Sequence, residues 1–206
     1  MCKYGWIKLP ILENIPKLPK IYQLFAFEWW LALYHQKKRD DQKQNGSHWG
    51  DFESFTKSIH RNLTHYFMMA HYSLPALKKS KGSIVNIGSK TSFTGQGGTS
   101  AYAAANGGRN ALTREWAVEL LPFSIRVNSI IVAECYTPLY QKWIKSFPNP
   151  EGKLKEIESK IPLENRMTTT KEIGSAVAFL LSKKSSHTTG QLLFVDGGYT
   201  HLDRSL

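Results

Sequence analysis

The run Gly82-Ser83-Ile84-Val85-Asn86-Ile87-Gly88-Ser89 decides how this chain is read. It is short, mostly apolar and rich in β-branched residues, and it does not alternate with polar ones. That is the pattern of a strand buried on both faces of a parallel sheet. A polar, glycine-rich loop follows over residues 89–98, and Thr99 or Ser100 can cap the next helix, which is expected to run to about Leu121 before Pro122 stops it. Residues 125–132 form a second apolar run and residues 191–195 a third, from which Asp196-Gly197-Gly198 turns away. Between them lie an excursion rich in Tyr, Trp and Pro over 135–164 and a helix over 171–182 with Thr170 as its cap. Upstream, Phe52, Phe55, Ile59, Leu63, Phe67 and Ala70 recur at three- and four-residue steps. They predict one long helix over 51–77, with Pro75 marking its end or a break. Strands alternating with helices argue for an α/β architecture, a parallel sheet flanked by helices. In such a sheet ligands bind at the carboxyl ends of the strands, which is where Ser89 falls.

Composition narrows the function classes. The chain has 206 residues, 41% of them apolar, enough for one packed domain. The net charge of +11 comes from dispersed Lys and Arg, and the densest run, Lys37-Lys38-Arg39, is followed at once by Asp40-Asp41. No basic stripe emerges, so a nucleic-acid partner is not expected. The two cysteines, Cys2 and Cys135, make neither a disulfide framework nor a CxxC site, which suits a reducing, cytoplasmic setting. The seven His show no metal-binding spacing, so no metal is expected. Residues 21–34 are apolar and aromatic, but the stretch is short for a membrane span and carries Glu28. A packed amphipathic helix is the expectation, and no membrane partner.

Several ordered motifs carry a resemblance. Asn62 lies in the long helix within Arg61-Asn62-Leu63, and Tyr102 stands thirteen residues after Ser89 and opens Tyr102-Ala103-Ala104-Ala105-Asn106. Arg126-Val127-Asn128-Ser129, then Thr137-Pro138, then Val195-Asp196-Gly197-Gly198 complete the series. In this order they resemble the second half of a short-chain dehydrogenase/reductase, a family of NAD(P)-dependent oxidoreductases. The runs 95–102, 113–117 and 198–204 resemble its sugar-oxidising subgroup typified by L-fucose dehydrogenase, which implies an aldose as the small-molecule substrate. The fold implied is a partial Rossmann-like sheet over 51–206, and residues 1–50 read as a divergent or non-homologous segment. Before Gly82 the only glycines are Gly5, Gly46 and Gly50, so the strand–glycine loop–helix units that grip the cofactor pyrophosphate are missing from the pattern. A replaced or mistranslated N-terminus is the expectation there. Residues 21–34 would then cover the open edge of the 83–88 strand.

The resemblance assigns roles. Tyr102 is the general acid/base, Ser89 holds the substrate oxygen, and Asn62 supports a water relay. Tyr102, Asn106, Ala133 and Thr137 face the nicotinamide end of NAD or NADP, and Glu134, Tyr136 and Tyr140 face the substrate. Tyr136, Tyr140 and Trp143 suggest an aromatic wall or lid. A homo-oligomer, dimer or tetramer, is also implied, with Gly107-Gly108 admitting a close neighbour. One position departs from the family: Asn106 stands where a Lys normally does. A unit charge about 4 Å away at an effective dielectric constant of about 20 is worth on the order of 4 kcal/mol, and Asn cannot supply it. Arg109 lies on the same helix face, three residues further on, as a possible stand-in. The alternative reading is an inactive remnant that serves only as a dimerising partner.

Overall fold

The computed structural model describes residues 51–202. The expected helix at 21–34 and the question of the pyrophosphate loop in the first fifty residues lie outside that range. Asp51 caps helix α1 (Phe52–Ile59), its carboxylate accepting the Ser54 N–H at 2.8 Å. A π-helical turn, His60–Thr64, joins α1 to α2 (His65–Ser80). The expected single helix is thus interrupted at Asn62, and Pro75 does not end it. Pro75 and His71 both lie on the exposed side, where water can reach the carbonyl that Pro75 leaves unbonded. The helix ends instead at Lys81, in the left-handed region with φ 49°. The apolar stripe is also divided. Tyr66 and Leu77 are buried, with Ala70 and Leu74 packed beside them, whereas Phe52, Phe55 and Phe67 are exposed.

The three predicted strands form β1 (Ser83–Ser89), β2 (Arg126–Val132) and β3 (Leu192–Val195). They pair in parallel in the order β1-β2-β3. Ser89 is in register with Val132, and Val132 with Val195, so three strand ends meet along one rim. Alternate residues point to opposite faces. On one face Ile84 and Val127 pack with Tyr66, Leu77, Trp116 and Ala117 from α2 and α3 (Ser100–Glu119). On the other, Val85 and Ile130 pack with Ile173 and Leu180 of α6 (Thr170–Leu181). The cap of α6 is Thr169 rather than Thr170. Its hydroxyl accepts the Glu172 N–H and the Glu172 carboxylate accepts the Thr169 N–H, a reciprocal capping box that selects one Thr among Thr168, Thr169 and Thr170.

Two motif residues explain themselves as fasteners at the amino ends of the strands. Arg126 donates to the Leu180 carbonyl at 2.8 Å and to Ser83 Oγ at 2.7 Å, tying α6 to β1 and β2. Asn128 donates to the Thr188 carbonyl at 2.8 Å and accepts the Gln191 N–H at 3.0 Å, which sets β3 in place.

The excursion after β2 is a loop closed at its base. Tyr136 N–H donates to the Thr168 carbonyl and Thr168 N–H to the Glu134 carbonyl, both at 3.0 Å. It carries α4 (Pro138–Ile144) and α5 (Pro150–Glu158). A small core of its own, made by Tyr140, Ile144, Ile161 and Met167, holds it together.

Candidate active site

Ser89 is the last residue of β1 and is half-buried. Its Oγ accepts from the Thr91 N–H at 3.3 Å and from the Thr91 hydroxyl at 3.1 Å. Both bonds use the oxygen as acceptor, so the Ser89 hydrogen can be donated to a ligand.

Tyr102 lies in the first turn of α3. Two bonds lash this helix to β1 and a third to the turn Lys90–Ser92 that follows it. Asn86 Nδ2 donates to Thr113 Oγ1 at 2.8 Å, Arg109 Nη1 to the Ile87 carbonyl at 2.6 Å, and Asn110 Nδ2 to Ser92 Oγ at 2.8 Å. The helix face that meets the strand is therefore polar: Asn106, Arg109, Asn110 and Thr113 are all buried. Spacings of three and four residues put them on one stripe with Tyr102. Gly88 belongs to the same packing. A Cβ there would stand 2.6 Å from Ile131 Cδ1 and 3.4 Å from Asn110 Oδ1.

Asn106 is 0% exposed and turns back on its own helix, its Nδ2 donating to the Tyr102 carbonyl at 2.8 Å. Its Oδ1 is buried with no hydrogen-bond partner among the described residues. Arg109 is 4% exposed. Its Nη1 also donates to Tyr66 Oη at 2.8 Å, and Tyr66 Oη in turn donates to the Ile87 carbonyl at 3.0 Å. The guanidinium carbon lies 4.5 Å from the Tyr66 ring centre and 6.0 Å from that of Tyr102.

Asn62 sits within the π turn, a distortion common at functional sites. Its side-chain Nδ2 donates to the Ser58 carbonyl at 2.9 Å. Leu63, beside it, fills the space over Gly108, where a Cβ would come within 2.8 Å of Leu63 Cδ2; Gly107 has nothing within 4 Å. So Gly108 admits a close neighbour from its own chain, and Gly107 does not need to.

After β2, Ala133 and Glu134 are half-buried, Tyr136 is 40% exposed, and Thr137 and Tyr140 are buried. Thr137 caps α4, its Oγ1 accepting the Tyr140 N–H at 3.1 Å. Glu134 does not stand alone as a loop carboxylate. Its Oε1 pairs with the buried Lys90 ammonium and its Oε2 accepts from Tyr140 Oη at 2.7 Å. Lys90 Nζ also lies 3.8 Å from the Tyr199 ring centre. Tyr140 and Trp143 meet edge to face at 5.1 Å, so this part of the expected aromatic wall is packed into the excursion, while Tyr136 is outside it. Cys135 is buried, and burial, with the Glu172 charge adding to it, pushes its thiol up to about 11; it is not a nucleophile.

Sequence reasoning missed Lys90 and Tyr66. A lone Lys after Ser89 carries no signal, because its partner is 44 residues away. Tyr66 has the spacing signal, four residues before Ala70 on the buried face, but its hydroxyl's role is set by Arg109, 43 residues on.

The rim at the carboxyl ends of β1 and β2 thus gathers Ser89, Lys90, Ala133, Glu134 and Thr137, with the Tyr102 helix lashed over it. The family model described as Enoyl-(Acyl carrier protein) reductase matches residues 40–200. Trans-4-hydroxycyclohexanecarboxylate dehydrogenase of Sinomonas cyclohexanicum is 36% identical over 73% of this chain and 53% of its own length. L-fucose dehydrogenase of Oryctolagus cuniculus is 34% identical over 71% of this chain and 51% of its own. The solved structure of Cj0485 dehydrogenase superimposes with a TM-score of 0.74 at 49% identity, covering 79% of this chain and 61% of that one. The chain spans about half the length of the curated relatives it matches. It belongs to the short-chain dehydrogenase/reductase family.

Proposed function

We propose that the chain is part of an NAD(P)-dependent oxidoreductase that oxidises a hydroxyl of a sugar or similar ring alcohol, with an L-fucose-like aldose first among its substrates. The observation that carries this reading is the lashing of α3 to β1 and to the turn after it, which holds the Tyr102 turn beside the strand that ends in Ser89. Ser89 donates its hydrogen to the substrate oxygen. Tyr102 takes the hydroxyl proton as the general base and returns it in the reverse direction. NAD or NADP, when bound, supplies the hydride acceptor.

The described residues suit the nicotinamide end of such a cofactor. The unpartnered Asn106 Oδ1 offers an acceptor to a ribose hydroxyl in place of the donor a Lys would be. The Thr137 hydroxyl and the Ala133 backbone lie at the end of β2 for the amide. Among the described residues no glycine-rich turn directly joins a strand to a helix; Gly95, Gly97 and Gly98 precede the Tyr102 helix instead. Residues 1–50 are a divergent segment ahead of the short-chain dehydrogenase/reductase part, 51–206.

On the substrate side, Glu134 acts through its partners. With both oxygens engaged, it fixes the Tyr140 hydroxyl and the Lys90 ammonium as wall elements, and Tyr136 lines the open side. Asn62 serves the relay from the π turn. The exposed aromatics Phe52, Phe55, Phe67 and Tyr72 of α1 and α2 support a homo-oligomer. Among the described residues no helix is long and apolar enough to cross a membrane. We place the protein in the cytoplasm, in keeping with the single buried thiol among the described residues.

The test is formation of NADH or NADPH by the full chain with L-fucose, other aldoses and cyclohexanols. Tyr102→Phe is expected to lower the rate by about 100-fold or more, and Ser89→Ala by a similar or smaller factor. A full chain that binds neither cofactor in a calorimeter and reduces neither would overturn the reading in favour of a non-catalytic protein.

A further inference from the structure

Arg109 is a cation taken out of water with no carboxylate of the described residues paired with it. Among the described residues it makes no ion pair, and its Nε–H is buried without a partner. What surrounds it is electron-rich but neutral: the Ile87 carbonyl, the Tyr66 hydroxyl and the faces of two tyrosine rings. A buried charge without a counter-charge is costly, so the site is short of one negative charge. The tyrosine that can supply it at the rim is Tyr102. One turn away, at position 106, stands a neutral amide that spends its donor on the Tyr102 carbonyl.

We infer that Arg109 is the positioning residue that gives the Tyr102 site its fixed positive charge, relocated along α3 from position 106 to position 109. The inference rests on Tyr102 being the acid/base. The geometry explains why the relocation works. Tyr66 and the Ile87 carbonyl hold the guanidinium from the side of α2 and β1, so the charge cannot swing out to solvent, and its unbonded Nε–H is not consumed by that anchorage. It also explains why position 106 is neutral. A Lys there, buried and three residues from Arg109 on the same face, would set two cations against each other. Among the described residues, the other titratable or charged groups on these elements include Tyr66 and the His65 ring at 4.3 Å from it on α2, and after β1 Lys90, which is paired with Glu134.

The experiment is a tyrosinate difference titration by ultraviolet absorbance on the full chain, with Tyr102→Phe subtracted to isolate Tyr102. It needs neither substrate nor cofactor, so it can fail while the proposed oxidoreductase activity stands, and the reverse. In Arg109→Gln, the Tyr102-dependent band is expected to appear at a higher pH than in the parent. Arg109→Lys is expected to keep the band near its parental position. The double variant Asn106→Lys/Arg109→Gln is expected to restore it, and to recover turnover where Arg109→Gln has lost it. A purely structural Arg109 would change melting without moving the band, and an unmoved band in folded Arg109→Gln overturns the inference. Should that variant not fold, Tyr66→Phe is read instead: releasing one of the two anchors is expected to shift the band in the same direction by a smaller amount, and no shift overturns the inference equally.

Discussion

Two cations are buried near the carboxyl end of β1, and the protein treats them in opposite ways. Lys90 is 8% exposed and has a carboxylate, Glu134, whose other oxygen is held by the Tyr140 hydroxyl. Arg109 is 4% exposed and has, among the described residues, tyrosines and a carbonyl as its partners. A paired charge is neutralised and acts as a fastener: Lys90 and Glu134 lock the base of the 133–168 excursion to the end of β1. An unpaired charge keeps its field and can bias a neighbour that ionises. Arg166 gives a third, exposed case, bonded to Glu164 and Glu172 at the start of α6. Water screens that pair, so it serves the helix end and little else.

The largest expected effect tests the paired cation. Glu134→Ala strands the Lys90 ammonium in a buried place and is expected to cost about 3–5 kcal/mol in chemical denaturation. Lys90→Met combined with Glu134→Gln is expected to recover most of that loss, since no charge is then left alone. If the single and double variants are equally unstable, the pair is not a fastener and the contrast with Arg109 collapses. A smaller effect is expected for Arg109→Gln, about 1–3 kcal/mol, because Tyr66 Oη keeps its own bond to the Ile87 carbonyl when the guanidinium is gone. A loss as large as that of Glu134→Ala would mean that Arg109 is principally structural.

The smallest effect lies at the exposed pair and sharpens the comparison through pH. Glu172 is lowered from 4.5 to about 2, first by its hydrogen bond from Arg166 and then by the Thr169 N–H and hydroxyl. A carboxyl held down in the folded protein contributes stability that is fully present above its unfolded value and is lost as pH falls through its folded one. The α6 amino terminus is therefore expected to loosen between about pH 4.5 and 2. Glu172→Gln should flatten that acid limb in melts followed against pH, and a limb of unchanged slope would show that the capping box contributes nothing there.

The fold was legible to the extent that its signals are local. The apolar runs at 83–88, 125–132 and 191–195 became the three strands within a residue or two. Pro75 misled because a proline stops a helix only where the freed carbonyl cannot be solvated, and exposure is not written in the local sequence. The candidate site was legible in part for the same reason. Ser89, Tyr102 and Thr137 are marked by spacing and by their places at strand and helix ends. Glu134 is expected from the sequence to face the substrate, yet what it touches is set by Lys90 and Tyr140.

By itself, then, the sequence determined the order of strands and helices, the family and the residues carried to the rim, because periodicity, turn residues and motif spacing act over a few positions along the chain. Only the tertiary structure decided which charges are neutralised and which are left active. Lys90 meets Glu134 across 44 residues, and Arg109 meets Tyr66 across 43. The free energy of a buried charge depends on what surrounds it in space, and the surroundings exist only once the helices have packed on the sheet.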